Sequence, residues 1–96
     1  MIEQTGEDVL EGRRAVEHPF HACNGAVFRT LRDLAEGLVT MSDQDYYFHA
    51  NQTKNDFANW VRDVLGKPEL ANNLRSATGR EDAFMVVIGE VEEKPK

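Results

Sequence analysis

The chain has one cysteine, Cys23, so no internal disulfide can form. That fits a reducing compartment. No apolar run approaches the roughly 20 residues that span a bilayer. The first residues, MIEQTGEDVLEG, are acidic and lack the basic start and apolar stretch of a secretion signal. These features predict a soluble, cytoplasmic protein with no membrane association. Basic residues are outnumbered 17 to 11, and the net charge is -6. Such a surface repels phosphate backbones, which argues against nucleic-acid binding. There is no glycine-rich phosphate loop and no paired-carboxylate motif. Aromatic residues make up only 8%, and Trp60 is the one tryptophan, so base stacking is a poor explanation for it.

What is present is helical periodicity. Ninety-six residues make one domain with a modest core. Asn55 to Leu65 carries the clearest stripe, with Phe57, Trp60, Val61, Val64 and Leu65 at i, i+3, i+4, i+7 and i+8. Thr53 and Asp56 are spaced as a capping box at its start. Gly66 and Pro68 stop it. This helix is read as the hub on which the rest packs.

The other elements follow in order. Residues 1–17 are acidic with few apolar groups, of which Val9, Leu10 and Val16 could make one weak helical turn. They read as a mobile, solvated lead segment or as a short docking helix. Pro19 biases His18 to extended geometry, Phe20 plugs the core from an extended arm, and Asn24-Gly25 turns the chain. Ala26 to Val39 reads as a long helix with Phe28, Leu31, Leu34 or Ala35, and Leu38 inward. Arg29–Asp33 and Arg32–Glu36 are i,i+4 pairs on its wet side. Ser42 caps a short helix from Asp43 to about Ala50, with Tyr47 and Phe48 as its buried side. Pro68 opens a further helix whose apolar face is Leu70, Ala71 and Leu74. Ala83 to Ile88 is rich in β-branched residues, as a strand would be, yet Phe84, Val87, Ile88 and Val91 also fit a helical stripe, and Thr78-Gly79-Arg80-Glu81 is a capping box that decides for helix. Residues 93–96 read as a frayed tail. The expected fold is a compact, single all-α domain over 18–92, of four to five short helices preceded by an extended arm.

One resemblance rests on Phe20, Gly25, Leu31-x-x-Leu34, Met41-Ser42, Phe48-His49, Asn55-Asp56-Phe57-Ala58-x-Trp60-Val61-x-Asp63-Val64 and Leu70-Ala71. Together they resemble a small prokaryotic domain of unknown function, found mainly in archaea. The resemblance runs from about Pro19 to Ile88. It implies an all-helical fold that occurs alone or attached to other domains, and it brings no activity, cofactor or catalytic residue. Ala50 departs from the pattern, which has a larger aliphatic residue after the histidine.

Three groups of residues could carry chemistry. His18-x-x-His21-x-Cys23, with His49 as a fourth ligand, matches the donor types of a zinc site, although a second tightly spaced pair is missing. Cys23 equally suits a small buried hydrophobe. His49, Asn55, Asp56 and Trp60 form a second cluster, in which Asp56 could pair with His49 for acid/base work or simply hold the start of a helix. A Cys23–histidine dyad lacks a nucleophile motif and an orienting third residue. No catalytic residue is assigned, and no cofactor beyond possible zinc. The favoured reading is a non-catalytic protein-interaction module with a protein partner or a second copy. The alternative is a small metal- or ligand-binding domain using the His/Cys loop. Tyr46, Met85 and Val86 fall off the apolar stripes and are the expected partner surface.

Overall fold

The structure is a computed structural model that describes residues 18–92. The readings made for 1–17 and 93–96 lie outside the described residues. The fold is all-α apart from one small hairpin.

The hairpin comes first. Strand β1 (Phe20–His21) pairs antiparallel with β2 (Val27–Phe28), with Phe20 opposite Phe28 and His21 opposite Val27. Asn24 Oδ1 accepts from the Ala26 N–H at 3.0 Å, and Gly25 adopts φ +94°, a region that favours glycine. The register sends Phe20 and Phe28 to one face, where they stack with ring centroids 5.8 Å apart. Both are buried, while His21 faces solvent. The expected helix from Ala26 is therefore corrected: Val27 and Phe28 are strand, and helix α1 is Leu31–Thr40. Thr30 is its N-cap, accepting from the Asp33 N–H at 3.0 Å. Asp33 in turn accepts from the Arg29 backbone N–H at 2.9 Å, so this carboxylate serves the helix start rather than the Arg29 side chain.

Leu31, Leu34, Ala35 and Leu38 bury one face of α1. Gly37 also lies inward, against the Phe28 ring, and a Cβ built on it would collide with the ring tip. Alanine is the better helix former by about 1 kcal/mol, yet here the clash should win. Gly37→Ala is expected to destabilise by about 1–3 kcal/mol. A urea melt showing equal or greater stability would disprove this packing.

Helix α2 (Asp43–His49) starts at Ser42, whose Oγ accepts from the Asp45 N–H at 3.0 Å. Its buried residues are Tyr46 and His49, whereas Tyr47 and Phe48 are exposed. The reason is phase: only Tyr46, His49 and the adjoining Ala50 share the i, i+3, i+4 face turned to Phe57. Helix α3 (Asp56–Asp63) is capped by Asn55, which accepts from the Ala58 N–H at 2.9 Å. Thr53 bonds Asn51 instead and plays no part in the cap. Phe57, Ala58, Trp60 and Val61 are buried on α3, and the helix ends before Val64 and Leu65, which are half-buried. Gly66 takes φ +70° at the turn that follows.

Helix α4 (Pro68–Arg75) buries Leu70, Ala71 and Leu74 as the stripe predicts. Helix α5 (Arg80–Glu92) settles Ala83 to Ile88 as helix. Its partner in capping is Asp82, which accepts from the Thr78 N–H at 2.9 Å; Glu81 is exposed. Arg80 reaches back across the fold. It donates to the carbonyls of Leu38 and Val39 at 2.9 and 3.1 Å, and to Asp43 at 2.8 Å. A cation thus meets the carbonyl end of α1, where the helix dipole favours it.

α1 packs most extensively on α5, and α3 on α4, while α4 also meets α5. The centre of the fold is thus not α3 alone. It is an aromatic group in which Phe20 of the hairpin stacks on Phe57 of α3 at 5.0 Å and meets Trp60 edge-on at 6.0 Å. No described helix is long and apolar enough to cross a membrane.

Candidate functional site

Of the polar residues that sequence reasoning grouped, Asp56 meets the buried imidazole of His49, whereas Asn55 and Trp60 bond other parts of the chain. His49 is 5% exposed. Its ring lies edge-on to Phe20 at 5.0 Å and tilted against Phe57 at 5.3 Å. Its polar atoms are both engaged. Nε2 is 3.0 Å from the backbone nitrogen of Cys23, and Nδ1 is 3.0 Å from Asp56 Oδ2.

These two partners fix the ring's chemical state. A backbone N–H can only donate, so Nε2 must be the bare, accepting nitrogen. The single ring proton then sits on Nδ1 and is donated to Asp56. Asp56 Oδ2 also accepts from Lys54 Nζ at 3.0 Å. Asn55 spends its oxygen on the start of α3 and its nitrogen on the Leu74 carbonyl at 3.3 Å. Trp60 Nε1 donates to the His18 carbonyl at 2.8 Å. All four members therefore join chain segments: His49 joins α2 to the hairpin, Asp56 joins α3 to α2 and to the loop before it, Asn55 joins α3 to α4, and Trp60 joins α3 to the chain before β1.

The electrostatics agree with that role. Burial alone would raise the Asp56 carboxyl. The hydrogen bonds from His49 and Lys54, together with the Lys54 charge, outweigh it and hold the group below its usual range. A carboxyl lowered in the folded state stabilises the fold above its unfolded pKa, near 3.9, and loses that contribution as pH falls through the folded value. Thermal melts should therefore show Asp56→Asn losing less stability than the parent between about pH 4 and pH 2. Superimposable acid limbs would contradict the assignment.

A general acid/base needs a free nitrogen and room for a substrate. His49 offers no free nitrogen, since both are hydrogen-bonded. Two open clefts, of about 470 and 570 Å³, lie over the α2–α3 loop and the start of α5. Neither is lined by His49 or Asp56. In the first, the Asn51 amide is occupied by Thr53 and the Tyr47 carbonyl.

The zinc expectation is corrected. Among the described residues no three His, Cys, Asp or Glu side chains come together as a ligand set. His18 and His21 are exposed, and both nitrogens of His49 are already hydrogen-bonded. Cys23 meets His49 through its backbone, not its sulfur, which also removes the dyad. The Cys23 side chain is exposed rather than a buried hydrophobe. Local desolvation, then the Asp45 charge and hydrogen bond, push its thiol above the ordinary value, which disfavours the thiolate that nucleophiles and metals need.

The expected partner surface is corrected too. Tyr46 is buried, stacking on Phe57 at 5.8 Å. Val86 is half-buried against the core, and only Met85 stands out, at 59% exposed. Among the described residues the exposed large apolar side chains are instead Val27, Val39, Tyr47, Phe48 and Met85. The signal for Tyr47 and Phe48 was present, since both fall off the Tyr46–His49–Ala50 face.

Comparison with protein-family models, with curated proteins and with solved structures found no match.

Proposed function

We propose that this chain is a non-catalytic helical protein-interaction module of the cytoplasm, whose partner is another protein or a second copy of itself. The observation that carries the reading is the outer side of α2, where the consecutive residues Tyr47 and Phe48 are 50% and 58% exposed. Exposed aromatics on one helix are the kind of surface that protein partners cover. Lys54 Nζ lies 5.0 Å over the Phe48 ring, placing a cation at the edge of the patch, as the polar rim of an interface requires. The net charge of -6 favours protein over nucleic acid as the partner. The resemblance to a prokaryotic helical domain is compatible with this reading and adds no activity to it.

Sedimentation velocity on the purified chain tests the self-association arm, and cross-linking in cell extract tests the adaptor arm. Phe48→Glu should abolish association in whichever arm shows it and leave the circular dichroism unchanged. A chain that stays monomeric, and whose cross-linked partners are unaffected by Phe48→Glu, would contradict the proposal.

A further inference from the structure

The hairpin is tied to the helical body by a bond that only a bare Nε2 can make. The Cys23 N–H donates to His49 Nε2 at 3.0 Å. A proton placed on Nε2 would set two donors against each other. The ring cannot turn to offer another atom, because Nδ1 is held by Asp56 and the faces and edges meet Phe20, Phe48 and Phe57. The other polar ties from the start of the described chain are the Trp60 bond to the His18 carbonyl and a long contact of 4.0 Å from Cys23 Sγ to the Asp45 carbonyl. The remaining attachment is apolar, through Phe20 on Phe57 and Phe28 on Gly37.

We propose that His49 is a proton-operated latch, and that protonation of Nε2 releases the β1–β2 hairpin from the helices.

The surrounding charges determine which side gives way. From α3, the Asp56 carboxylate attracts an imidazolium and keeps its hold on Nδ1. From the α2–α3 loop, Lys54 opposes the added charge but is itself neutralised by Asp56. From the hairpin, the Cys23 thiol stays uncharged. On α2 itself, Asp45 lies toward the Cys23 side, its carbonyl 4.0 Å from Sγ. The positive ring is therefore accommodated toward α3 and conflicts only with Cys23. The α2–α3 turn holds and the hairpin lets go. The ring thus provides a connection that one proton can break.

The test is an NMR titration of the full chain from about pH 7.5 to about pH 5, the range in which histidines change charge. The His49 ring nitrogens, the Cys23 amide and amide-exchange protection are followed together. The Cys23 amide should move in step with the His49 ring. Hairpin protection, corrected for the intrinsic pH dependence of exchange, should fall roughly tenfold, the effect of one lost hydrogen bond. α5 amides should keep theirs. Three results would overturn the proposal: His49 titrating while hairpin protection holds, loosening that follows a carboxyl rather than His49, or no His49 titration before the helices unfold. His49→Gln keeps an oxygen acceptor but takes up no proton in this range, so its hairpin protection should be flat with pH. Loosening that persists in a folded His49→Gln overturns the latch, and if that variant does not fold the parent titration alone decides.

Discussion

Phe57→Ala lowers the stability of this fold by about 3–5 kcal/mol, the cost of emptying a well-packed aromatic site. Phe57 is 1% exposed and contacts three separate parts of the chain. Its ring stacks on Phe20 at 5.0 Å and on Tyr46 at 5.8 Å, and lies 5.3 Å from His49. Hairpin, α2 and α3 all meet there, so collapse around the cavity would require all three to shift. A domain of this length holds only about 5–15 kcal/mol in total, so the variant should be partly unfolded at 37 °C. Equilibrium urea melts give the answer, and a midpoint equal to the parent's would refute this centre.

The second large effect separates two neighbouring residues. His49→Leu should cost about 2–4 kcal/mol, because it strands the Cys23 N–H and removes one of the two donors to Asp56. Phe48→Ser, one position earlier, should cost about 1 kcal/mol or less, since the ring is 58% exposed. Hydrophobicity alone predicts the opposite order. Paired urea melts decide between them, and a Phe48 variant weaker than the His49 variant would reverse the assignment of the α2 faces.

Much of the fold is written in local signals. Pro68 and Ser42 mark helix starts because their chemistry acts on the adjacent backbone, whatever lies farther off. The Phe57–Trp60–Val61 stripe reads correctly because three buried residues at helical spacing leave no other phase. The α5 segment is harder: its apolar residues fit a strand as well as a helical stripe, so the turn before it decides, and the buried face is Ala83, Val87 and Val91 rather than the Phe84–Val87–Ile88–Val91 stripe. The hairpin was missed for a related reason. Phe28 continues the i, i+3 stripe of Leu31 and Leu34, and nothing local says that its ring belongs opposite Phe20, across a turn. Thr30 with Asp33 was the available sign that the helix begins later. In α2, seven residues are too few for a stripe to fix its own phase when three consecutive residues are aromatic. The pairing of His49 with Asp56 could be anticipated from the short loop between them. Its other bond could not, because the Cys23 donor is a backbone group that no sequence pattern marks.

The central claim is that His49 is an internal connector rather than a ligand or a catalyst. Long-range nitrogen–proton NMR of the His49 ring at neutral pH, with and without added zinc, tests it most directly. The predicted spectrum shows one tautomer, with the proton on Nδ1, Nε2 bare, and no change on adding zinc. A ring protonated on Nε2, an exchanging mixture of tautomers, or a zinc-dependent shift would contradict the claim.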